Sequence, residues 1–300
     1  MSGTGPGVDG ERPGRGDVTG RGGDQVIPRP PGAMAGGPAP WAMVPPARRQ
    51  RIGLDRVISA VTGSVTEPLR SGPAEALVAG GPVGIGASPG PAGGSVGAVG
   101  ASPGPVAGAH PVPTELMAGS QRPAAVLVAL FEEAGQARVV LTRRAGHPRS
   151  HRHEVSFPGG RLEPGETPEQ GACREAAEEV ALDPALVTPI GRLSPLVTVS
   201  SMNWLVPVVA TLPERPRLVP NPTEVARVLD VALAELAADG VFREEQWPIR
   251  HLTPTSAASG TYPVWFFELV GETVWGATAR VLVELLTKVL IGPAPPPGRG

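Results

Sequence analysis

The chain has 300 residues, a formal net charge of −2 and a single cysteine, Cys173. A near-neutral balance excludes a general attraction to nucleic acid or anionic lipid, and one thiol excludes an internal disulfide framework or a multi-cysteine metal site, which fits a reducing compartment. No apolar run approaches the roughly 20 residues a spanning helix needs, and the opening MSGTGPGVDGERPGRG lacks the apolar centre of a secretory signal, so a cytoplasmic protein with neither nucleic-acid nor membrane partners is expected.

Composition changes sharply along the chain. Residues 1–118 hold 26 of the 41 Gly and 18 of the 38 Pro, with Trp41 as their only aromatic. Such a segment buries too little apolar surface to offset its ordering entropy, so a mostly disordered tail is expected over 1–118. Within it, LDRVISAV (residues 54–61) has the spacing of a short helix, and GASPGP occurs twice in a low-complexity linker. One compact domain is expected over 119–292, followed by a disordered end at 293–300.

In that domain PAAVLVALFEE, the turn AGQA and RVVLTRR predict a β-hairpin, and HEVSFPGG a third strand. Further strands are expected at VTPIGRL, NWLVPVVATL and YPVWFFEL. NPTEVARVLDVALAEL has an Asn-Pro start and helical spacing at Val225, Val228, Leu229 and Leu233, although β-branched residues leave its first half ambiguous. TARVLVELLTKVLI predicts a helix with Val281, Leu282, Leu285, Leu286 and Val289 inward. Mixed strands with two or three helices give an α+β domain, a mixed sheet sandwiched between helices (α/β/α).

The acids gather in one place. GGRLEPGETPEQGACREAAEEVAL, residues 159–182, carries six Glu. Thr167-Pro168-Glu169-Gln170 has the form of a capping box that starts a helix at Pro168. On that helix Ala172, Ala176 and Val180 stack on one side, while Glu175, Glu178 and Glu179 lie on roughly the other. Their mutual repulsion needs an opposing charge. Arg174 can pair with Glu178 or reach back to Glu166, but one Arg cannot neutralise three Glu. Mg²⁺ or Mn²⁺, which prefer carboxylate oxygens and substrate phosphates, can.

The full string resembles the Nudix box: Gly160, five residues, Glu166, seven residues, Arg174-Glu175, Ala176, Ala177, Glu178-Glu179. The resemblance implies a Nudix fold and makes Glu175, Glu178 and Glu179, with the Gly159 carbonyl, ligands of Mg²⁺ or Mn²⁺, with Glu166 holding Arg174. The general base is a box Glu or a later carboxylate, with Glu224 and Glu268 as candidates. Ala181 stands where the box has Gly; since Ala in a left-handed conformation costs about 1 kcal/mol, a helix end shifted toward Asp183-Pro184 is expected.

Upstream, Leu141-Thr142, Arg144-Ala145, Arg149 and Phe157-Pro158-Gly159-Gly160 are similar to the signature of the coenzyme A pyrophosphatase group, as are NPTEV (221–225) and VWGATARVL (274–282) downstream. His153 and Glu154 depart from it. Arg143, Arg144, Arg149, His151 and Arg152 bring positive charge beside the acids and are the expected substrate contacts. The resemblance implies a small-molecule substrate, coenzyme A or a thioester of it, cut to adenosine 3′,5′-bisphosphate and a 4′-phosphopantetheine product. Another nucleoside diphosphate derivative (ADP-ribose, an NDP-sugar, an oxidised nucleotide) or a non-catalytic binding module are the alternatives, and a homodimer stays open. His151-Arg152-His153 reads as a polar loop rather than a transition-metal site, and Cys173 as core packing.

Overall fold

The computed structural model describes residues 21–23, 25, 27, 29–63, 122–145, 154–198, 203–248 and 260–292. In chain order the elements are β1 (Gly22–Gly23), β2 (Met34–Ala35), α1 (Pro46–Arg49), α2 (Leu54–Thr62), β3 (Arg122–Glu133), β4 (Gln136–Arg144), β5 (Val155–Ser156) and β6 (Gly159–Arg161). Then follow α3 (Pro168–Val180), β7 (Thr188–Arg192), β8 (Leu196–Val197), β9 (Asn203–Thr211), β10 (Val225–Ala232), α4 (Leu233–Leu236), β11 (Phe242–Pro248), β12 (Thr261–Trp275) and α5 (Gly276–Ile291).

The larger sheet runs β10-β4-β3-β9-β7, with β5 beside β4, β6 beside β3 and β8 beside β9. It is mixed, since β3 and β9 are parallel while β3 and β4 form the antiparallel hairpin. Strand β3 is buried on both faces, which explains its nearly unbroken apolar run. Ala125, Leu127, Ala129 and Phe131 face a core shared with Ala172, Ala176 and Val180 of α3. Val126, Val128 and Leu130 face the opposite core, shared with α2, α5 and the inner side of a second sheet ordered β1-β12-β11-β2. The α+β architecture, a mixed sheet between helices, is the expected one. All five inward positions of α5 are buried.

Four expectations are corrected. The tail expected to be mostly disordered over 1–118 includes residues 29–63, which build part of the core, so the core is not confined to 119–292. Trp41 is 1% exposed and packs against Phe242 and Phe267 with ring centroids 5.5 and 6.2 Å away. Helix α2 buries Val57 and Val61, and the Ile52 carbonyl accepts from the Ala137 amide at 2.7 Å. Composition misled because four well-placed large side chains, each contributing about 1.5–3 kcal/mol on burial, anchor a stretch whose average looks disordered. Residues 1–20 and 64–118, with the GASPGP repeats, lie outside the described residues.

NPTEVARVLDVALAEL is mainly strand, with only Leu233–Leu236 helical. The exposed edge of β4 offers unpaired N–H and C=O groups, and β10 satisfies them in antiparallel register from Val225 opposite Arg144 to Ala232 opposite Arg138, so pairing overrides helical spacing. HEVSFPGG splits into β5 on β4 and β6 on β3, because Pro158 has no N–H for a ladder and Gly159 turns the chain at φ 152°. The helix end at Ala181 is not shifted: Ala181 itself adopts φ 54°, ψ 31°. Its amide bonds the Ala177 carbonyl at 3.0 Å, while Leu182 is buried and returns its amide to Ala176. That anchorage outweighs the roughly 1 kcal/mol of strain.

Candidate active site

The acidic helix is built as its sequence dictates. Thr167 Oγ1 accepts from the Gln170 amide at 3.3 Å and Gln170 Oε1 accepts from the Thr167 amide at 2.9 Å, closing the capping box. With the Ala172, Ala176 and Val180 side fixed against β3, the opposite side turns toward β6 and the ends of β4 and β10. Gly159 lies so close to β3 that a Cβ would fall 2.3 Å from the Ala125 carbonyl oxygen, and a Cβ on Gly160 would fall 2.4 Å from the Glu175 carboxylate. Two glycines therefore let the backbone form the floor on which Glu175 and Glu179 rest.

Glu179 is 6% exposed and accepts from the Gly159 amide at 3.3 Å. Burial pushes its carboxyl up to about 7; the Gly159 bond and the Arg144 charge oppose this, and the Glu175 and Glu224 charges add to it. Glu175 is likewise raised, first by burial and further by Glu178 and Glu224, against Arg174. Glu178 lies at the exposed margin. Arg174 is the organising cation: Glu166 accepts from its Nε at 2.8 Å and from Nη2 at 3.1 Å, and Nη1 reaches Glu175 at 3.1 Å and Glu178 at 3.2 Å. The Arg174 bond holds Glu166 below its usual range, and Glu166 in turn raises Arg174. Glu166 thus orients Arg174, as expected.

Glu224 joins the set through main-chain ties. The Asn221 amide donates to the Glu179 carbonyl at 2.8 Å, the Glu224 amide to Asn221 O at 3.0 Å, and the Ala145 amide to the Glu224 carbonyl at 2.8 Å. The NPTEV stretch is therefore clamped between the box helix and the end of β4. Glu268 is elsewhere, paired with Arg243 and Thr273 in the second sheet.

Of the expected substrate contacts, Arg144 lies close enough for its charge to act on Glu179. Arg143, its neighbour, lies on the opposite side of the strand, as pleat alternation requires: its Nη1 donates to Glu272 at 3.0 Å, so it is not part of the cluster. Arg149, His151 and Arg152 lie outside the described residues. Sequence reading missed Glu272, whose partner is 129 positions away.

Glu175, Glu178, Glu179 and Glu224 meet with Arg174 already held by Glu166, leaving excess negative charge beside a backbone floor. Among the described residues no three acids, histidines or cysteines stand preassembled as a metal-holding group, and Arg174 bridges Glu175 and Glu178. The donor set nevertheless fits a hard divalent cation: oxygen donors, a buried carboxylate that gains from losing its proton to a metal, and an exposed margin for waters and phosphates.

The NUDIX domain model matches residues 121–251. The chain is 36% identical to Nudix hydrolase 22, chloroplastic, of Arabidopsis thaliana over 56% of its own length and 55% of that protein's, so it spans about half of this relative. It is 32% identical to the uncharacterized Nudix hydrolase NudL of Photorhabdus laumondii, over 60% of this chain and 92% of that one. Among solved structures, RenU, a Nudix hydrolase from M. smegmatis, is 30% identical with a TM-score of 0.31, covering 37% of this chain and 71% of its own. Proteins of this kind work with divalent cations. With its box, the matched domain model and these relatives in accord, the chain belongs to the Nudix hydrolase family.

Proposed function

We propose that the protein is a Mg²⁺- or Mn²⁺-dependent pyrophosphohydrolase that cleaves the diphosphate of coenzyme A or its thioesters, giving adenosine 3′,5′-bisphosphate and 4′-phosphopantetheine or its acyl form. The observation that carries this reading is Glu175 and Glu179 resting on the Gly159–Gly160 floor, with the Glu224 and Arg144 charges acting on Glu179. Glu175, Glu178, Glu179 and the Gly159 carbonyl would hold the metal, which supplies charge neutralisation and a more acidic bound water. Glu166 keeps Arg174 in place, Arg144 faces the phosphates, and Glu224 or a box carboxylate takes the proton of the attacking water. Each product carries one of the two phosphoryl groups, with water supplying the new P–O bond and the proton passing to that carboxylate.

Two stretches of the coenzyme A pyrophosphatase signature support the choice of substrate, because they meet at the site. Leu141-Thr142 and Arg144-Ala145 lie at the end of β4, and Asn221–Val225 is the clamped loop that bears Glu224. The experiment is a panel of coenzyme A, acetyl-coenzyme A, ADP-ribose and a nucleoside triphosphate, incubated with each metal and read by chromatography. Cleavage of the coenzyme A compounds alone is expected. Preferred cleavage of ADP-ribose or the triphosphate moves the enzyme to another nucleoside diphosphate derivative, and no cleavage at all makes the domain a binding module.

A further inference from the structure

Among the described residues Arg49, Glu245 and Glu272 are buried charges outside the carboxylate cluster, and Glu272 is the most deeply buried of them. Glu272 is 2% exposed, on the last turn of β12 before α5. Strand alternation fails there: Gly271 at φ 75° kinks β12, so that Glu272, Thr273 and Val274 are buried in succession. The N-terminal strand β1 fixes this kink from outside, the Gly23 amide donating to Thr273 Oγ1 at 3.0 Å with no room for a Cβ against the Glu272 backbone.

Two arginines from neighbouring strands converge on the Glu272 carboxylate. Arg143 Nη1 lies 3.0 Å and Arg227 Nη1 3.6 Å from Oε1. Arg143 and Arg227 face each other across the β4–β10 ladder, at the only register shift in it. Oε2 is buried and accepts no hydrogen bond among the described residues. A carboxylate kept half-satisfied costs stability, so its retention calls for a use other than stability.

That use is at the strand ends it grips. One residue beyond Arg143, Arg144, whose charge acts on Glu179, donates its amide to the Glu154 carbonyl at 3.0 Å; one residue further, the Ala145 amide holds the Glu224 carbonyl. On the other strand, Val225 and Glu224 directly precede the bulge at Arg227. We infer that Glu272 is a positioning residue: through Arg143 and Arg227 it fixes the ends of β4 and β10, and so holds Arg144 and Glu224 against the box carboxylates. It touches neither substrate nor reacting atoms. The inference rests on the function proposed above.

The test compares Glu272→Gln, which keeps shape and removes charge, with wild type in three readouts: kcat and KM for coenzyme A, thermal unfolding, and hydrogen exchange of the Ala145 amide. The expected result is a kcat lowered about tenfold or more with KM within about twofold, together with faster exchange at Ala145 and unchanged exchange along α3. Arg143→Gln should reproduce the lowered kcat and the faster exchange at Ala145, and the double variant should lose less than the two single losses combined, because Glu272 acts in part through Arg143; Arg143→Gln carries the test if Glu272→Gln does not fold. Unchanged exchange at Ala145, or a kcat equal to wild type, overturns the inference. A wild type that cleaves nothing sinks the proposed function instead, and exchange at Ala145 then decides alone whether Glu272 holds the strand ends.

Discussion

Glu179 is where burial and charge meet most sharply. Its folded-state carboxyl titrates near 7 against an ordinary 4.5, because burial disfavours the anion more than Gly159 and Arg144 favour it. The folded protein thus binds a proton that the unfolded chain has released between these values, so this group's contribution to stability is full below about 4.5 and is lost as pH rises through about 7. Thermal unfolding without metal should show a melting temperature that falls from pH 5 to pH 8, and Glu179→Gln should flatten that slope; an equal slope in both proteins would assign the effect to other groups. A bound divalent cation must displace the same proton, so Mn²⁺ affinity should rise over that interval. The acids themselves were legible in the sequence, since the box fixes them by spacing along one helix. Glu272 was not, because an ion pair between strands far apart in sequence leaves no local signal. The contrast between Arg143 and Arg144 was half legible: strand alternation puts them on opposite faces, but which face meets the carboxylates depends on where β10 and β12 lie.

Elements tell a similar story of local rules and their override. Helix α3 has the cap, apolar side and acidic side that its sequence specifies, yet it ends on Ala181 in a left-handed conformation without moving its terminus. Ala181→Gly should therefore raise stability by about 1 kcal/mol in denaturant unfolding and leave the carboxylates in place; a loss of stability would show that the Ala181 methyl makes contacts worth more than the strain. Strand β10, whose first half the sequence leaves ambiguous, is decided by an outside partner. Val225, Val228, Leu229 and Leu233 satisfy helical spacing, but a helix there would abandon the β4 edge, and nothing within residues 221–236 records that edge.

At the scale of the molecule, the sequence misplaced the start of the folded unit. Residues 29–63 complete the core between α5 and the second sheet, with Trp41 between Phe242 and Phe267 and Arg49 bonded to Ala237 and Asp239. LDRVISAV was a legible helix; its destination on α5, across a low-complexity stretch, was not. Removing residues 1–63 should lower the melting temperature by roughly 10 °C or more, since losing Trp41 alone forfeits about 3–5 kcal/mol and each kcal/mol shifts the midpoint by about 2–4 °C in a domain of this size. An unchanged midpoint would mean that this segment only rests on the surface.

The central claim, that carboxylates gathered over the Gly159–Gly160 floor perform metal-dependent diphosphate hydrolysis, is tested most directly by turnover of coenzyme A with Mg²⁺ or Mn²⁺ in wild type and Glu179→Gln. The account predicts adenosine 3′,5′-bisphosphate and 4′-phosphopantetheine from wild type, no product after chelation, and a rate in Glu179→Gln reduced by about 10³-fold or more. Turnover by Glu179→Gln at the wild-type rate, or product formation that persists without metal, would contradict it.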